Sequence, residues 1–261
     1  MPASATNDDL PKRKLKMDVQ LIDYTGFGSS DPADHAANVL IFSKNTRLEM
    51  VPGLFAAISA WPQEKKLKEL EYMANTIPSS WEFVHYTFLV TGVTRAFTHQ
   101  FVRTRTASFA QQTMRVLNVN GWEYSTGPTI AENGHCRKVY DNAMAAIRGA
   151  YNELIESGVK IEDARGVLPT NINTNIMMSC SMRTLVELVR KRSSPRTQGE
   201  YRDVLDLLKL RAAEVHPWLK LFTERSFDTA AKDLDQEIMA IEDPEKRIRM
   251  VKLVDQLRKG D

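Results

Sequence analysis

The amino-acid sequence predicts an α/β domain of the mixed α+β kind. Residues 19–24 and 81–93 are rich in the β-branched and aromatic side chains that favour strands. Residues 138–156 and 197–215 instead carry apolar side chains at helical spacing. No internal repeat, low-complexity tract or linker divides the 261 residues. A single domain over residues 1–261 is therefore expected, with a flexible N-terminal tail over about residues 1–16. A charged helical C-terminal segment over about residues 228–261 completes it, its mixed charges reading as a solvated face.

The elements follow in order. Val19–Tyr24 reads as a strand, stopped by the turn Thr25–Ser30. The glycines Gly26 and Gly28 suggest a dinucleotide fingerprint, but Asp31 stands where its third glycine is needed. Asp31-Pro32 starts a helix through Ala33–Phe42, with proline at the first helical position. Pro62–Asn75 is a helix with Leu67, Leu70 and Met73 on one stripe. Trp81–Val93 reads as a central strand, and Val93–Val102 then switches to helical spacing at Val93, Phe97 and Phe101. Helix 138–156 presents Val139, Ala143, Ile147, Tyr151 and Leu154, and Gly158 ends it. A further helix is expected from Thr174 to Arg192. The last, Thr197–Val215, shows Tyr201, Val204, Leu208 and Ala212 and is broken by Pro217.

Composition narrows the function. The chain is 43% hydrophobic and 26% charged, with a net charge of +2. So weak a bias excludes a protein that lives by wrapping nucleic acid or coating an anionic membrane. No apolar stretch approaches the ~18 residues of a membrane helix, and the polar start of the chain is no secretory signal. Cys136 and Cys180, far apart, exclude a disulfide framework and a cysteine zinc cluster, and fit a reducing cytoplasm. The histidines His35, His85, His99, His135 and His216 are scattered, so no metal site is expected. G-x-S-x-G and H-E-x-x-H are both absent, which argues against a serine hydrolase and a zincin.

Two segments hold more polar residues than buried elements should. His99–Arg115 packs three arginines, four hydroxyls and three amides into seventeen positions. Arginine is a rigid fork of donors for carboxylate and phosphate oxygens, and hydroxyls and amides add neutral partners at those oxygens and at a base edge. A solvated loop with scattered arginines is the plain alternative. The second segment is Ala164–Pro169, then Ser181–Leu185, then Arg190–Glu200. Arg190, Lys191 and Arg192 serve as helix C-terminal charges in the simplest reading, or as one wall of an anion site.

Together these segments resemble the flavin-dependent thymidylate synthase family. That family carries R-H-R-x-x-S-x-N-x-x-S-x-R. Residues 103–115 read R-T-R-T-A-S-F-A-Q-Q-T-M-R, keeping Arg103, Arg105, Ser108 and Arg115. Thr104 replaces the histidine, Ala110 the asparagine and Thr113 the second serine. An A-R-x-V-L-P element stands at Ala164–Pro169, followed by S-M-R-T-L at Ser181–Leu185, Arg192, and T-Q-G-E at Thr197–Glu200. The match covers about residues 79–204.

The resemblance implies an antiparallel or mixed sheet packed with helices, and methylation of C5 of a uracil nucleotide, dUMP to dTMP. It implies FAD as cofactor, with NADPH and methylene-tetrahydrofolate as co-substrates. The nucleotide monophosphate would be held by Gln100, Arg103, Gln111, Thr113, Arg115, Arg165 and Arg192, and Arg192 would favour ionisation of uracil N3. FAD would be held by Ser79, Arg103, Thr104, Arg105, Thr106, Gln111, Ser181, Arg183, Glu187, Lys191 and Arg196. No catalytic cysteine is implied, in contrast with enzymes that add a thiolate to uracil C6. A homotetramer with sites at subunit interfaces is implied as well. Three other readings stand beside this one: a UMP C5-methylase of a nucleoside-antibiotic pathway, a catalytically inactive family member, and a nucleic-acid-binding protein using the arginine-rich loop.

Overall fold

A computed structural model of the chain describes residues 16–45, 50–115, 123–192, 199–223, 234–235 and 237–259. These residues form a four-stranded antiparallel sheet in the spatial order β1-β2-β4-β3. The strands are β1 Asp18–Tyr24, β2 His85–Thr94, β3 Ala107–Gln111 and β4 Asn173–Ser181. The helices are α1 Pro32–Lys44, α2 Pro52–Ser59, α3 Gln63–Thr76, α4 Arg95–Phe101, α5 Pro128–Ala131, α6 Gly134–Glu156, α7 Ile161–Ala164, α8 Met182–Arg192, α9 Gly199–Val215, α10 Lys220–Thr223 and α11 Pro244–Lys259. The expected α/β class holds, and the sheet is antiparallel throughout.

Strand periodicity sorts the side chains between the two faces. On the inner face the cross-strand pairs Tyr86–Cys180, Phe88–Met178 and Val90–Ile176 are all buried. They share one core with Leu40 and Ile41 of α1, Leu70 and Met73 of α3, Leu185 and Val186 of α8, and Val204 and Leu208 of α9. The outer face keeps the alternate pairs His85–Ser181, Thr87–Ser179 and Leu89–Met177. A smaller cluster of Met114, Met144 and Ile172 lies under α6.

Local signals set the boundaries. The Asp31 side chain accepts a bond from the Asp34 amide at 2.9 Å and caps α1. Gly26 in the preceding turn has φ +92°, and a Cβ there would meet the Pro32 carbonyl oxygen at 2.9 Å, so the turn needs glycine. The Asn133 side chain accepts from the amides of His135 and Cys136, which starts α6 four residues ahead of the expected Lys138.

The structure corrects several expectations. Thr174–Arg192 is not one helix: its first part is β4, and α8 begins only at Met182. Thr174, Ile176, Met178 and Cys180 alternate inward, a period of two that the long helical reading overlooked. Trp81–Phe83 belongs to a 3-10 turn, so the central strand starts at His85. Val93 and Thr94 end that strand, and α4 starts at Arg95. The arginine-rich segment is not all loop, because it contains β3. Helix α2 had no expectation attached to it. Leu67 is exposed while Lys66 is buried, held by Asp34 at 2.6 Å. On α6, Val139 and Ala143 face solvent and Met144 is buried instead, while Tyr151 is buried as its place on the apolar stripe predicts. The expected tail over 1–16 lies almost wholly outside the described residues, as does 224–233 ahead of α11.

Candidate functional site

At the end of the sheet marked by Ser181, the outer-face hydroxyls open onto a cleft of about 700 Å³. Thr87, Ser179 and Ser108 form one row across β2, β4 and β3, with Thr87 Oγ1 donating to Ser179 Oγ at 3.3 Å. Ser108, Ser179, Ser181, Thr106, Thr184 and His85 line the cleft with Cys180, Glu82, Arg183 and Glu187. Helix α8 begins inside it, where Ser181 Oγ accepts from the Thr184 amide at 3.3 Å. Thr184 Oγ1 in turn donates to the Thr106 carbonyl at 3.3 Å, tying α8 to the arginine-rich turn. One wall is a chain of charges. Arg183 donates to Glu82 at 2.7 Å and to Glu187 at 3.0 Å, and Lys191 donates to Glu187 at 3.2 Å. Arg183, with Lys191 behind it, holds the Glu187 carboxyl below its ordinary range despite partial burial. Burial pushes the Cys180 thiol up to about 12, so it stays protonated at neutral pH.

The arginine-rich turn Val102–Thr106 lies at this same end, because α4 runs back from β2 before β3 pairs Ala107 with Cys180. Arg103 and Arg105 are exposed, and neither guanidinium has an ion pair among the described residues. Gln100 is exposed and its carbonyl accepts from the Arg103 amide at 3.2 Å. Arg192, the last residue of α8, lies over the Tyr201 ring at 5.4 Å. Burial raises the Tyr201 phenol's pKa, and the adjacent Thr104 side chain works against that rise. Glu200 clips α9 to the start of α4, accepting from the Thr94 amide at 2.7 Å and its hydroxyl at 2.6 Å. Ser79 is exposed in the turn before β2, close in sequence to Glu82 but not itself on the cleft wall.

The other sequence-predicted residues gather at the far end of β3. From Ala107 to Gln111 the strand advances about 13 Å. Gln111 donates to Thr98 Oγ1 at 2.9 Å, and Thr113 Oγ1 accepts from the Arg115 amide at 3.2 Å. Arg115 and Arg165 converge on Glu162, the first through its carboxylate at 3.8 Å, the second through its backbone carbonyl at 3.1 Å. Arg95 lies close enough to Arg165 to feel its charge; burial and that neighbour lower its pKa, and its buried Nη1 has no hydrogen-bond partner among the described residues.

The chain thus collects Thr106, Ser181, Arg183 and Glu187 in one cleft with Lys191 behind Glu187, and Gln100, Arg103, Thr104, Arg105 and Arg192 on the turn and helix end beside it. It separates Gln111, Thr113, Arg115 and Arg165 from them. Arg196 lies outside the described residues. Glu82, His85, Ser179, Tyr201 and Arg95 escaped the sequence reading. For Ser179 the outward phase of 173–181 was an available signal; Tyr201 read as core, which it also is, against Phe97 at 5.2 Å.

Fold and cleft together define a mixed α/β protein whose antiparallel sheet opens at one end into a polar, arginine-flanked cleft. The chain belongs to the thymidylate synthase complementing protein (Thy1) family, whose model matches residues 20–218. It is 36% identical over 146 residues to a flavin-dependent thymidylate synthase of Nitratidesulfovibrio vulgaris, covering 53% of this chain and 60% of that protein. The enzyme of the same name from Clostridium tetani is 32% identical over 152 residues, covering 52% and 61%. That of Sulfolobus acidocaldarius is 35% identical over 136 residues, covering 51% and 52%. The matched stretch therefore spans little more than half the length of these relatives.

Proposed function

We propose that this protein is a flavin-dependent thymidylate synthase that methylates C5 of dUMP, with methylene-tetrahydrofolate as carbon source and NADPH as reductant. The observation that carries the reading is the meeting of the arginine-rich turn and the start of α8 in one cleft, at Thr106, Thr184 and Arg183. These segments are distant in sequence and are the ones that resemble the family motifs.

The donor set fits a flavin. A cleft of about 700 Å³ is of the size that cofactor sites occupy. Its hydroxyls suit the carbonyl and ring-nitrogen edge of a flavin, and the ion-paired Arg183 is held in a fixed direction by Glu82 and Glu187. Arg103 and Arg105, exposed on the turn next to Thr106, would take the phosphates of FAD. When bound, the flavin supplies the hydride that the transferred carbon needs to become a methyl group. The chain's own residues bind, orient and polarise. Arg192 sets a guanidinium at the polar edge of uracil, where it stabilises N3-ionised ring and raises electron density at C5. Gln100 fixes the ring edge. No thiol takes part, since Cys180 is buried and protonated and Cys136 lies on α6.

Arg115 and Arg165, with Gln111 and Thr113, are the phosphate end of the nucleotide site in this reading. They stand more than about 13 Å along β3 from the turn that holds Arg103. A single nucleotide is served by both sets when two copies of the chain face each other, so a homotetramer with sites between subunits belongs to the proposal. A cytoplasmic setting belongs to it too; no helix among the described residues is long and apolar enough to cross a membrane.

Flavin binding tests the reading first. Purified protein titrated with FAD is expected to take up one flavin per chain, with the absorbance of an oxidised flavoprotein, and Arg105→Ala to retain less. No uptake at high FAD overturns the proposal and leaves an inactive family member or a nucleic-acid binder; steep salt dependence on oligonucleotides would mark the latter.

A further inference from the structure

Two of the site residues, Thr104 and Arg192, belong to different motifs and never touch in sequence. They converge on one side chain that neither motif contains. Tyr201 is 1% exposed, packed edge-on against Phe97 at 5.2 Å and Phe101 at 6.0 Å. Its ring face lies under the Arg192 guanidinium at 5.4 Å, within the ~6 Å over which a cation is attracted to an aromatic face. Its hydroxyl lies beside the Thr104 side chain, whose influence opposes the burial that raises the phenol's pKa. The backbone beneath it is fixed because Glu200, the preceding residue, holds the amide and hydroxyl of Thr94.

Arg192 is itself exposed and ends its helix, with no carboxylate among the described residues to direct it. A long arginine in that position samples many rotamers, and freezing them costs conformational entropy. A rigid ring underneath, on a backbone clipped to α4, removes most of that freedom before any ligand arrives.

We propose that Tyr201 is a positioning residue with two separable roles: its ring orients the Arg192 guanidinium, and its hydroxyl sets the Thr104 side chain and so the turn carrying Arg103 and Arg105. The inference rests on the function proposed above. The two roles separate by chemistry. Phenylalanine keeps the ring and loses the hydroxyl; leucine loses both.

The experiment compares Tyr201→Phe, Tyr201→Leu, Thr104→Val, the Tyr201→Phe/Thr104→Val double variant and Arg192→Ala in the full chain, each first checked by its melting curve. FAD dissociation constants are read by flavin fluorescence, and kcat and KM by C5-methylated product. Tyr201→Phe and Thr104→Val are each expected to weaken FAD three- to tenfold, and the double variant no further than either alone, because both remove the same hydroxyl-to-hydroxyl contact. Tyr201→Leu is expected to lower kcat at saturating nucleotide at least tenfold beyond Tyr201→Phe. Additive losses of FAD affinity overturn the hydroxyl role, and equal kcat in the Phe and Leu variants overturns the ring role. If Tyr201→Leu does not fold, the Phe and Val variants still decide the hydroxyl role, and Tyr201→Trp, which keeps an aromatic face, is expected to exceed Tyr201→His in kcat. Undiminished product from Arg192→Ala instead removes the role assigned to Arg192, a result distinct from either failure.

Discussion

The Arg183 guanidinium donates to the Glu82 carboxylate at 2.7 Å and joins the start of α8 to the turn that precedes β2. Both side chains are partly solvent-exposed, so the pair contributes little to stability. Its consequence is directional: with Glu187 on the other side, Arg183 is held at a fixed angle on the cleft wall.

Removing Glu82 is therefore expected to be felt in binding rather than in folding. Glu82→Ala should shift the melting temperature by less than about 2 °C. The same variant should weaken FAD about three- to tenfold, because Arg183 then swings towards Glu187 alone. Thermal melts and FAD titration on the one sample separate the two effects.

A second prediction concerns the phosphate end. Arg115→Ala should weaken binding of dUMP roughly ten- to a hundredfold, as expected for loss of a charge-assisted contact. It should leave the affinity for uridine nearly unchanged, since the nucleoside has no phosphate to lose. Calorimetric titration of both ligands checks the pair, and equal affinity of the parent protein for uridine and its monophosphate would contradict the assignment.

His216 makes the fold pH-sensitive. Burial lowers its pKa to about 4, against the bonds to backbone carbonyls that raise it. The tautomer follows from its partners: Nε2 donates to the Thr25 carbonyl at 3.0 Å, and Nδ1 accepts from the Tyr86 hydroxyl at 2.8 Å. A proton on Nδ1 would break the second bond. The unfolded chain binds that proton near pH 6.5, the folded chain only near 4, so the stabilisation is complete above pH 6.5 and is lost as pH falls towards 4. The loss approaches about 3 kcal/mol at the acid limit. Urea unfolding at pH 7.5 and pH 5 should show it, and His216→Gln should flatten the difference over that window.

Asp34 and Lys66 supply the fourth prediction. Lys66 is 2% exposed and lies 2.6 Å from Asp34, whose carboxyl also accepts from Gln63 and Asn38. Asp34→Ala leaves a buried ammonium without its counter-charge and should cost about 3 kcal/mol. Lys66→Met replaces the charge with an apolar chain of similar length and should cost distinctly less. Chemical denaturation of the two variants gives the comparison.

The motif residues were legible because their chemistry is unusual for their surroundings, and that density survives any error in secondary structure. Thr106, Ser181, Arg183 and Glu187 reach one cleft although the segment holding Ser181 was read as helix and is a strand end. The apolar face of Val93, Phe97 and Phe101 was also legible, and all three are buried, although Val93 lies near the end of β2 instead of opening a helix. What stayed hidden depends on contacts between distant segments. Nothing in the sequence sets Tyr201 apart from an ordinary core tyrosine, because its role arises from Arg192 and Thr104 arriving from elsewhere. Lys66 hid for a similar reason: a lysine on a charged helix reads as solvated until Asp34 is seen beside it.

The central claim is tested most directly by C5-methylated product. The parent protein, Arg192→Ala and Arg192→Lys should be supplied with FAD, NADPH and methylene-tetrahydrofolate, with dUMP and UMP assayed in parallel. The account predicts dTMP from the parent, and a loss of about 100-fold or more in both variants, with flavin still bound and NADPH still oxidised. Lysine should rescue little, since it keeps the charge but not the planar fork. Product from UMP rather than dUMP would move the protein to uridylate methylation. Flavin-loaded parent protein that yields no methylated nucleotide, or variants that yield as much as the parent, would contradict the account and return Arg192 to a helix-end charge.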